Sequence, residues 1–226
     1  MIILSVDTST SICRTGLFDN QKGQKGIIAE ISLNLTLKQR HSQYLLDLID
    51  IILTKSNHSL EDIDLIAIVN GPGSYTGLRV GISTVKGLAF VNNIPIIPVN
   101  ALTTLAWNFP YSTLPICTTI GAKKNELHCA IYKCIDEQII ETSVKGLYKI
   151  EDLKELITEK TIIAGEAILL YPDYIKNTLS VNGIFPSLYL NTISIAAISC
   201  AAIKKLETEG FQDASTITPI YSLVCP

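Results

Sequence analysis

The segment Asn70–Gly81 reads NGPGSYTGLRVG and crowds four glycines and a proline between an apolar strand and a helix. Its spacing excludes the phosphate loops that follow strands. A Walker A loop needs G-x-x-x-x-G-K-[ST], and a dinucleotide loop would need a third glycine where Thr76 stands. The nucleophile elbow G-x-S-x-G also fails, because Pro72 and Thr76 flank Ser74. The segment therefore predicts a sharp strand-to-helix turn that leads into a closely packed helix.

The helix predicted from about Thr76 to Val91 has two faces suited to burial. Leucine, isoleucine, valine and alanine recur with helical period on a core face, at Leu78, Ile82, Val85 and Ala89. A second stripe of small residues contains Gly77 and Gly81, four residues apart, and continues through Thr84 and Leu88. Small residues at this spacing allow another backbone to approach closely. The alternative is that the glycines only shape the turn.

Hydrophobic periodicity predicts an α/β chain. Residues 2–6, 12–18 and 27–35 have the pattern of three strands, and the period changes to that of a helix from His41 to Leu53. A strand at 65–69, the helix after it, a strand at 94–99 and a helix from Asn100 complete the order βββαβαβα. Beyond a boundary near Pro110 and Pro115, the second half repeats this order in abbreviated form. A further apolar helix is predicted over about residues 193–207.

Composition narrows the class of protein. The chain has 226 residues, 47% hydrophobic content and a net charge of −3, without the basic patch of a stand-alone nucleic-acid binder. It has no apolar run long enough for a membrane span and no basic leader, so we expect a cytoplasmic protein. The six cysteines form no C-x-x-C, which argues against a zinc or redox motif.

Two polar positions are candidates for chemistry. The turn Asp7–Thr10 (Asp7, Thr8, Ser9, Thr10) offers hydroxyls and amides to a phosphate, or simply closes a hairpin. His41 opens the first helix as a ligand, a base or a capping neighbour. A helical metal site would place a second histidine one turn on, where this chain has Leu45, so we predict no metal site.

Three fragments carry a resemblance to a known family: ILSVDTSTSICRTGLF, RHSQYLLDLID and NGPGSYTGLRVGISTVKGLA. Together they closely resemble the TsaB family, the non-catalytic partner in bacterial synthesis of N6-threonylcarbamoyladenosine at position 37 of tRNA. Weaker agreement continues at 99–106, 118–132 and 218–221, so that the resemblance extends along the whole chain.

The resemblance implies a two-lobed actin, Hsp70 and sugar-kinase type of fold, ribonuclease H-like, with a reduced second lobe. The first lobe would comprise residues 1–109, completed by the last helix at about 191–208, and the second would comprise 110–190. The implied partners are the catalytic paralogue TsaD and the ATPase TsaE, or a second copy when TsaD is absent. Contact with tRNA would come only through the complex, without a cofactor or a catalytic residue in this chain.

The family's interface helices correspond to residues 41–54 and 76–91. The interface carried onto this sequence consists of His41, Leu45, Leu46, Leu53, Gly77, Arg79, Gly81, Thr84 and Leu88. The turn Asp7–Thr10 would be a remnant of the nucleotide site. Its counterpart in the second lobe has Gly121 where the family commonly has aspartate, which removes a Mg²⁺ ligand.

Two other functions of the same superfamily remain open from the sequence. One is a glycoprotease-like peptidase, against which the missing metal ligands count. The other is an ATP-binding kinase or acyltransferase, which only the DTST turn and the implied fold favour.

Overall fold

The computed structural model describes residues 1–36, 39–143 and 145–222. Packing divides the chain into two compact units, one of Met1–Asn100 with Ile195–Ile220 and one built on Ala101–Ser194. The lobes expected at 1–109 with about 191–208, and at 110–190, stay a prediction about domains. Cys225 and the end of the chain lie outside the described residues.

The first unit is a mixed sheet with helices packed on it. Its elements are β1 (Ile2–Asp7), β2 (Ile12–Asp19), β3 (Ile27–Asn34), α1 (His41–Lys55), β4 (Leu65–Gly71), α2 (Tyr75–Asn92), β5 (Ile96–Asn100) and a helix at Ile195–Glu209. The strand order is β3-β2-β1-β4-β5. Strands β1 to β3 pair antiparallel, whereas β4 joins β1 and β5 in parallel. With α3 at residues 101–106, which begins the second unit, the predicted βββαβαβα order is confirmed.

The second unit repeats this arrangement. Its elements are α3 (Ala101–Ala106), β6 (Ile116–Gly121), β7 (Glu126–Ile135), β8 (Gln138–Glu141), β9 (Gly146–Lys149), α4 (Leu153–Leu156), β10 (Thr161–Gly165), α5 (Glu166–Leu170), α6 (Pro172–Thr178) and β11 (Gly183–Ile184); the helix at Ile195–Glu209 is then α7. The sheet order β11-β10-β6-β7-β8 reproduces the first sheet, with three antiparallel strands followed by parallel β10 and β11. The predicted repeat is confirmed, while α5, α6, β9 and β11 were not predicted.

The core of the first unit fixes α1 and α2, the two helices predicted to form an interface. Leu48, Ile49 and Ile52 of α1 are at most 8% exposed, and Ile82 and Val85 of α2 are at most 5% exposed, in one apolar cluster with the strands. Each such side chain removed from water contributes roughly 1.5–3 kcal/mol. The helical spacing of these apolar residues predicts the core face of each helix, and both predictions are confirmed.

The segment after α7 returns along the first unit. Gln212 forms a bridge to Ile96, and Ile217 is 4% exposed within the apolar cluster. The backbone N–H of Ile220 donates to the carbonyl oxygen of Asn70 at 2.7 Å, directly before the glycine turn. We call residues 212–220 the C-terminal strap, because it ties the end of the unit to the turn that precedes α2. No helix in the described part of the chain is long and apolar enough to cross a bilayer.

Candidate functional site

The two motifs singled out in the sequence pack against each other. The backbone N–H of Ser74, the N-cap of α2, donates to the carbonyl oxygen of Ser9 in the β1–β2 turn at 2.6 Å. The Ser74 hydroxyl in turn accepts from the N–H of Gly77 at 3.2 Å, which satisfies one of the free donors at the start of the helix. The DTST turn and the GPGS turn therefore form one structure, although about 65 residues separate them in the chain.

Thr8 packs against the first turns of α2. Its hydroxyl donates to the carbonyl oxygen of Gly77 at 2.8 Å, and its side chain is fully buried. A Cβ on Gly77 would overlap the Thr8 carbonyl oxygen, and one on Gly81 would overlap the Thr8 hydroxyl. The prediction of these two glycines as partner contacts stays a prediction, and this packing counts against it. Both glycines are buried and allow the chain's own turn to approach the helix closely.

Asp7 and Ser9 of the DTST turn bind each other. The Oδ1 atom of Asp7 accepts from the N–H of Ser9 at 2.8 Å and from its hydroxyl at 2.6 Å. Asp7, Thr8 and Ser9 are at most 3% exposed. Burial raises the pKa of Asp7, and the Ser9 hydrogen bonds and the charges of Arg14 and His41 oppose that rise. The nucleotide role of Asp7–Thr10 stays a prediction, and this enclosure counts against it.

His41 begins α1 next to this turn and is half-buried. Burial lowers its pKa, while the backbone carbonyls of Ile12 and Thr10 and the nearby Asp7 favour the protonated form. One turn further on, Leu45 is 1% exposed in the apolar cluster. Among the described residues, no three His, Cys, Asp or Glu side chains are grouped as a metal centre would require.

The outer sides of α1 and α2 enclose a groove of about 340 Å³. It is lined by Ser42, Leu45, Leu46, Arg79, Val80, Ser83 and Thr84. Leu46 is 56% exposed at the edge of this groove. The guanidinium of Arg79 lies 4.3 Å from the centroid of the Tyr75 ring, in a cation–π arrangement that holds it over the helix surface.

The structure separates the predicted interface residues into two groups. Leu46 and Arg79 are exposed, and His41, Thr84 and Leu88 are half-buried. The core takes up the others, which are Leu45, Leu53, Gly77 and Gly81. Leu45 and Leu53 are 1% and 8% exposed, which counts against them as partner contacts, although Leu45 lines the groove; the interface itself stays a prediction.

Sequence reasoning missed the C-terminal half of the α2 surface. Phe90 is 86% exposed and Val91 is 76% exposed, and a Cβ added to Gly87 would meet nothing within 4 Å. A helical wheel drawn from the confirmed core face would have shown all three pointing outward. Gly77 and Gly81 lie on the side of the helix that packs against Thr8, whereas Gly87 lies on an open side.

In the second unit, Gly121 ends β6 at the turn that the resemblance pairs with the DTST turn. A Cβ at this position would lie 2.6 Å from Cδ1 of Leu170. The neighbouring turn has Asn125 in the left-handed region, with φ of 61°. A shallow groove of about 250 Å³ beside it is lined by Lys124, Asn125, Glu126, Lys149, Glu151 and Tyr174. Its lysines and carboxylates are mixed, which gives it no strong preference for an anion.

Sequence comparison connects the chain to tRNA modification proteins. The family model described as TsaD, tRNA N6-adenosine threonylcarbamoyltransferase, matches residues 22–217. The tRNA threonylcarbamoyladenosine biosynthesis protein TsaB of Haemophilus influenzae is 30% identical over 171 residues, which is 74% of this chain and 66% of the relative. The chain thus aligns with slightly less than two thirds of that relative's length.

Solved structures agree on the fold. YeaZ from Pseudomonas aeruginosa superposes with a TM-score of 0.78 at 21% identity, covering 97% of this chain and 99% of that one. An activator of 2-hydroxyisocaproyl-CoA dehydratase from Clostridium difficile, solved with bound ADPNP, gives a TM-score of 0.50 at 9% identity, covering 98% and 99%. The repeated sheet places the chain in the two-lobed actin-like, ribonuclease H-like α/β class with a reduced second lobe. Within that class, it belongs to the TsaB family.

Proposed function

We propose that this chain is a non-catalytic subunit of the cytoplasmic machinery that makes N6-threonylcarbamoyladenosine at position 37 of tRNA. In this role it binds the catalytic paralogue TsaD, which the ATPase TsaE joins, and it meets tRNA only through that complex. Family membership and the matching TsaD model support the pathway. The observation that supports the subunit role is the exposed groove between α1 and α2. The DTST turn and the glycine-rich turn pack together and support α2, which forms one wall of this groove.

The groove has the chemistry of a protein-binding surface. Leu46 and Val80 supply apolar contact area, Ser42, Ser83 and Thr84 supply short hydroxyl side chains, and Arg79 supplies a cation. Interface centres are characteristically poor in charge and rich in such apolar and arginine contacts. Thr8 and the C-terminal strap hold α2 and the turn before it in place through hydrogen bonds. The groove surface is therefore preorganised, and binding would not have to order it.

The non-catalytic part of the proposal rests on how the polar groups are used. The Ser9 hydroxyl donates to Asp7 and the Thr8 hydroxyl donates to Gly77, so the turn's hydroxyls serve the fold. The position that would complete a histidine pair on α1 is a core leucine, Leu45. Both the peptidase and the kinase alternatives would require a reactive group in this region to reach a substrate.

Reconstitution with TsaD and TsaE from the same organism tests the proposal. We expect this chain to form a stable complex with TsaD, and tRNA modification to fall strongly when the chain is left out. Leu46→Glu should abolish the complex while leaving the fold intact, because the side chain is 56% exposed. Ile140→Glu is the matched control, since Ile140 is 43% exposed on β8 in the second unit.

Three results would contradict the proposal. The wild-type chain could fail to bind TsaD, or Leu46→Glu could bind as tightly as Ile140→Glu. Alternatively, the isolated chain could modify tRNA or hydrolyse a peptide without TsaD, which would make it an enzyme.

A further inference from the structure

Strand β3 forms a long open edge of the sheet in the first unit. It is the first strand of the order β3-β2-β1-β4-β5, and among the described residues no strand pairs with its outer side. Its eight residues, IIAEISLN, include no lysine or proline, and its register with β2 shifts only at its start, between Leu17 and Phe18. Natural sheets usually protect their edges, because the unpaired N–H and C=O groups of an edge strand can pair with another chain.

The sheet edges at β5, β8 and β11 have such protection. The C-terminal strap covers part of the β5 edge through the bridge between Gln212 and Ile96, and β5 contains Pro98. Strand β8 has four residues and ends at Glu141, which forms an ion pair with Lys145. Strand β11 has only two residues. In the described part of the chain, β3 is therefore the long edge that is left open.

The backbone of β3 presents hydrogen-bonding groups to the outside. The N–H of Leu35 donates to the carbonyl oxygen of Ser11 at 2.9 Å, which continues the ladder between β2 and β3. In an antiparallel ladder, alternate residues direct both their N–H and their C=O to the same neighbouring strand. Since the odd-numbered residues of this end bond to β2, the backbone groups of Glu30, Ser32 and Asn34 point outward.

The side chains of β3 alternate between two different faces. Ala29, Ile31 and Leu33 pack against the apolar cluster that includes α1, whereas residues 30, 32 and 34 are exposed on the other face. An antiparallel neighbour with the same alternation would place apolar side chains beside apolar ones and polar beside polar. A second copy of β3 has this alternation, and a two-fold axis pairs a strand with its own copy in antiparallel direction.

Charge also favours a second copy. Glu30 is the one charged residue of β3, and the Nε atom of Arg14 lies 3.7 Å from its Oε1 atom and donates to the Ser32 hydroxyl at 2.8 Å. A register centred on Glu30 would place two carboxylates opposite each other. Registers centred on Ile31 or on Ser32 instead pair Glu30 with Ser32 or Asn34, whose side chains can donate to it.

An exposed isoleucine of α1 lies above the same edge. Ile51 is 43% exposed, on the side of α1 away from the groove residues Ser42 and Leu46. Helix α1 packs on β2 and β3, and α2 packs on β4, so this side of α1 faces the outer edge of the sheet. Antiparallel pairing about a two-fold axis would place both α1 helices on one face of the joined sheet, where each Ile51 would face the other copy.

We propose that this chain forms a dimer in which β3 pairs antiparallel with β3 of a second copy and joins the two sheets into one. The contact differs from the self-association that the family resemblance implies, which uses the interface helices. It leaves the groove between α1 and α2 open, because the groove lies on the other side of α1. The inference therefore does not depend on the proposed function.

Ser32→Glu tests the strand pairing. Ser32 is exposed, and a carboxylate at this position can accept from Arg14 of its own chain, so the melting temperature should stay close to that of wild type. Across the two-fold axis it would meet Glu30 or its own copy. The dissociation constant of the dimer, measured by sedimentation, should rise at least about fivefold. Ile140→Glu, on the β8 edge of the second unit, is the matched control and should dimerise like wild type.

Hydrogen exchange of the wild-type chain provides a second measurement. In the dimer, the amides of Glu30, Ser32 and Asn34 should be protected, and dilution to monomer should make them exchange rapidly. The amides of Ile31 and Leu33 should stay protected at both concentrations, because they bond to β2. This alternation distinguishes pairing at the β3 edge from general stabilisation of the unit.

Four results would overturn the inference. The wild-type chain could remain monomeric up to about 100 μM, where even a weak specific dimer is populated. Protection of the β3 amides could be independent of concentration. A dimer that is lost in Leu46→Glu but kept in Ser32→Glu would use the groove between α1 and α2. Weaker binding of TsaD by Ser32→Glu would assign the β3 edge to that partner.

Discussion

The hydroxyl of Thr8 donates a 2.8 Å hydrogen bond to the carbonyl oxygen of Gly77, and it joins residues 69 positions apart in the sequence. Through this contact the turn after the first strand supports the first turn of α2. A polar motif that resembles a phosphate turn is thereby used as a structural support, and the opposite face of the helix it supports is exposed.

The close approach at Gly77 predicts opposite effects for two glycines of the same helix. Gly77→Ala should destabilise the protein by about 1–3 kcal/mol, because its Cβ would overlap the Thr8 carbonyl. Gly87→Ala should stabilise it by up to about 1 kcal/mol, because its Cβ enters open space. Urea unfolding of both variants measures the difference, and equal effects would refute the two assignments.

The Thr8 hydroxyl should make a measurable contribution of its own. Thr8→Val keeps the shape of the side chain but removes the donor to Gly77, and we expect a loss of about 1 kcal/mol in the free energy of unfolding. Thr10→Val is a useful comparison, since the Thr10 hydroxyl accepts only a local bond from Ile12 at 3.1 Å. The prediction is wrong if Thr8→Val proves no less stable than wild type.

The ionisation of Asp7 should cost stability at neutral pH. Burial raises the pKa of Asp7 in the folded state, so its favourable contribution is complete below its ordinary pKa and is lost as the pH rises through the folded value. Asp7→Asn keeps an acceptor for Ser9 without the charge, and it should raise the free energy of unfolding at pH 7. Its advantage over wild type should shrink toward pH 4, and chemical unfolding across that range would show whether it does.

His128 should make the second unit sensitive to acid. It is 4% exposed on β7, and burial lowers its pKa. A lowered histidine pKa adds stability above the ordinary value of about 6.5, and this stability is lost as the pH falls through the folded value. His128→Leu should therefore flatten the loss of stability below pH 6.5, as thermal unfolding over a pH series can establish. A slope as steep as that of wild type would mean that other groups cause it.

The C-terminal strap should depend on its single deeply buried side chain. Ile217→Ala should lower the free energy of unfolding by about 2–4 kcal/mol, because Ile217 is 4% exposed in the apolar cluster beneath α2. Ile184→Ala, at a side chain that is 37% exposed in the second unit, should cost much less. Similar losses for the two variants would show that the strap is not anchored in the core.

The periodicity of the sequence predicted most of the regular elements. The long helices α1 and α2 and the strands β1 to β4 lie within two residues of their expected bounds. Their apolar residues recur with a clear helical or strand period, and this period begins and ends with the element. Short elements such as α5, α6 and β11 were missed. Elements of two to seven residues are stabilised by their neighbours in space more than by their own pattern.

The sequence by itself determined the family, the class of fold and the core faces of α1 and α2. The tertiary structure alone decided which glycines are open. Gly77, Gly81 and Gly87 are all glycines of the same helix, and the sequence does not distinguish them. Thr8, which belongs to a turn distant in the sequence, fills the space beside Gly77 and Gly81 but not beside Gly87. Packing between residues distant in the sequence produces no periodic pattern in the chain. Only the folded structure therefore shows which side of α2 is open.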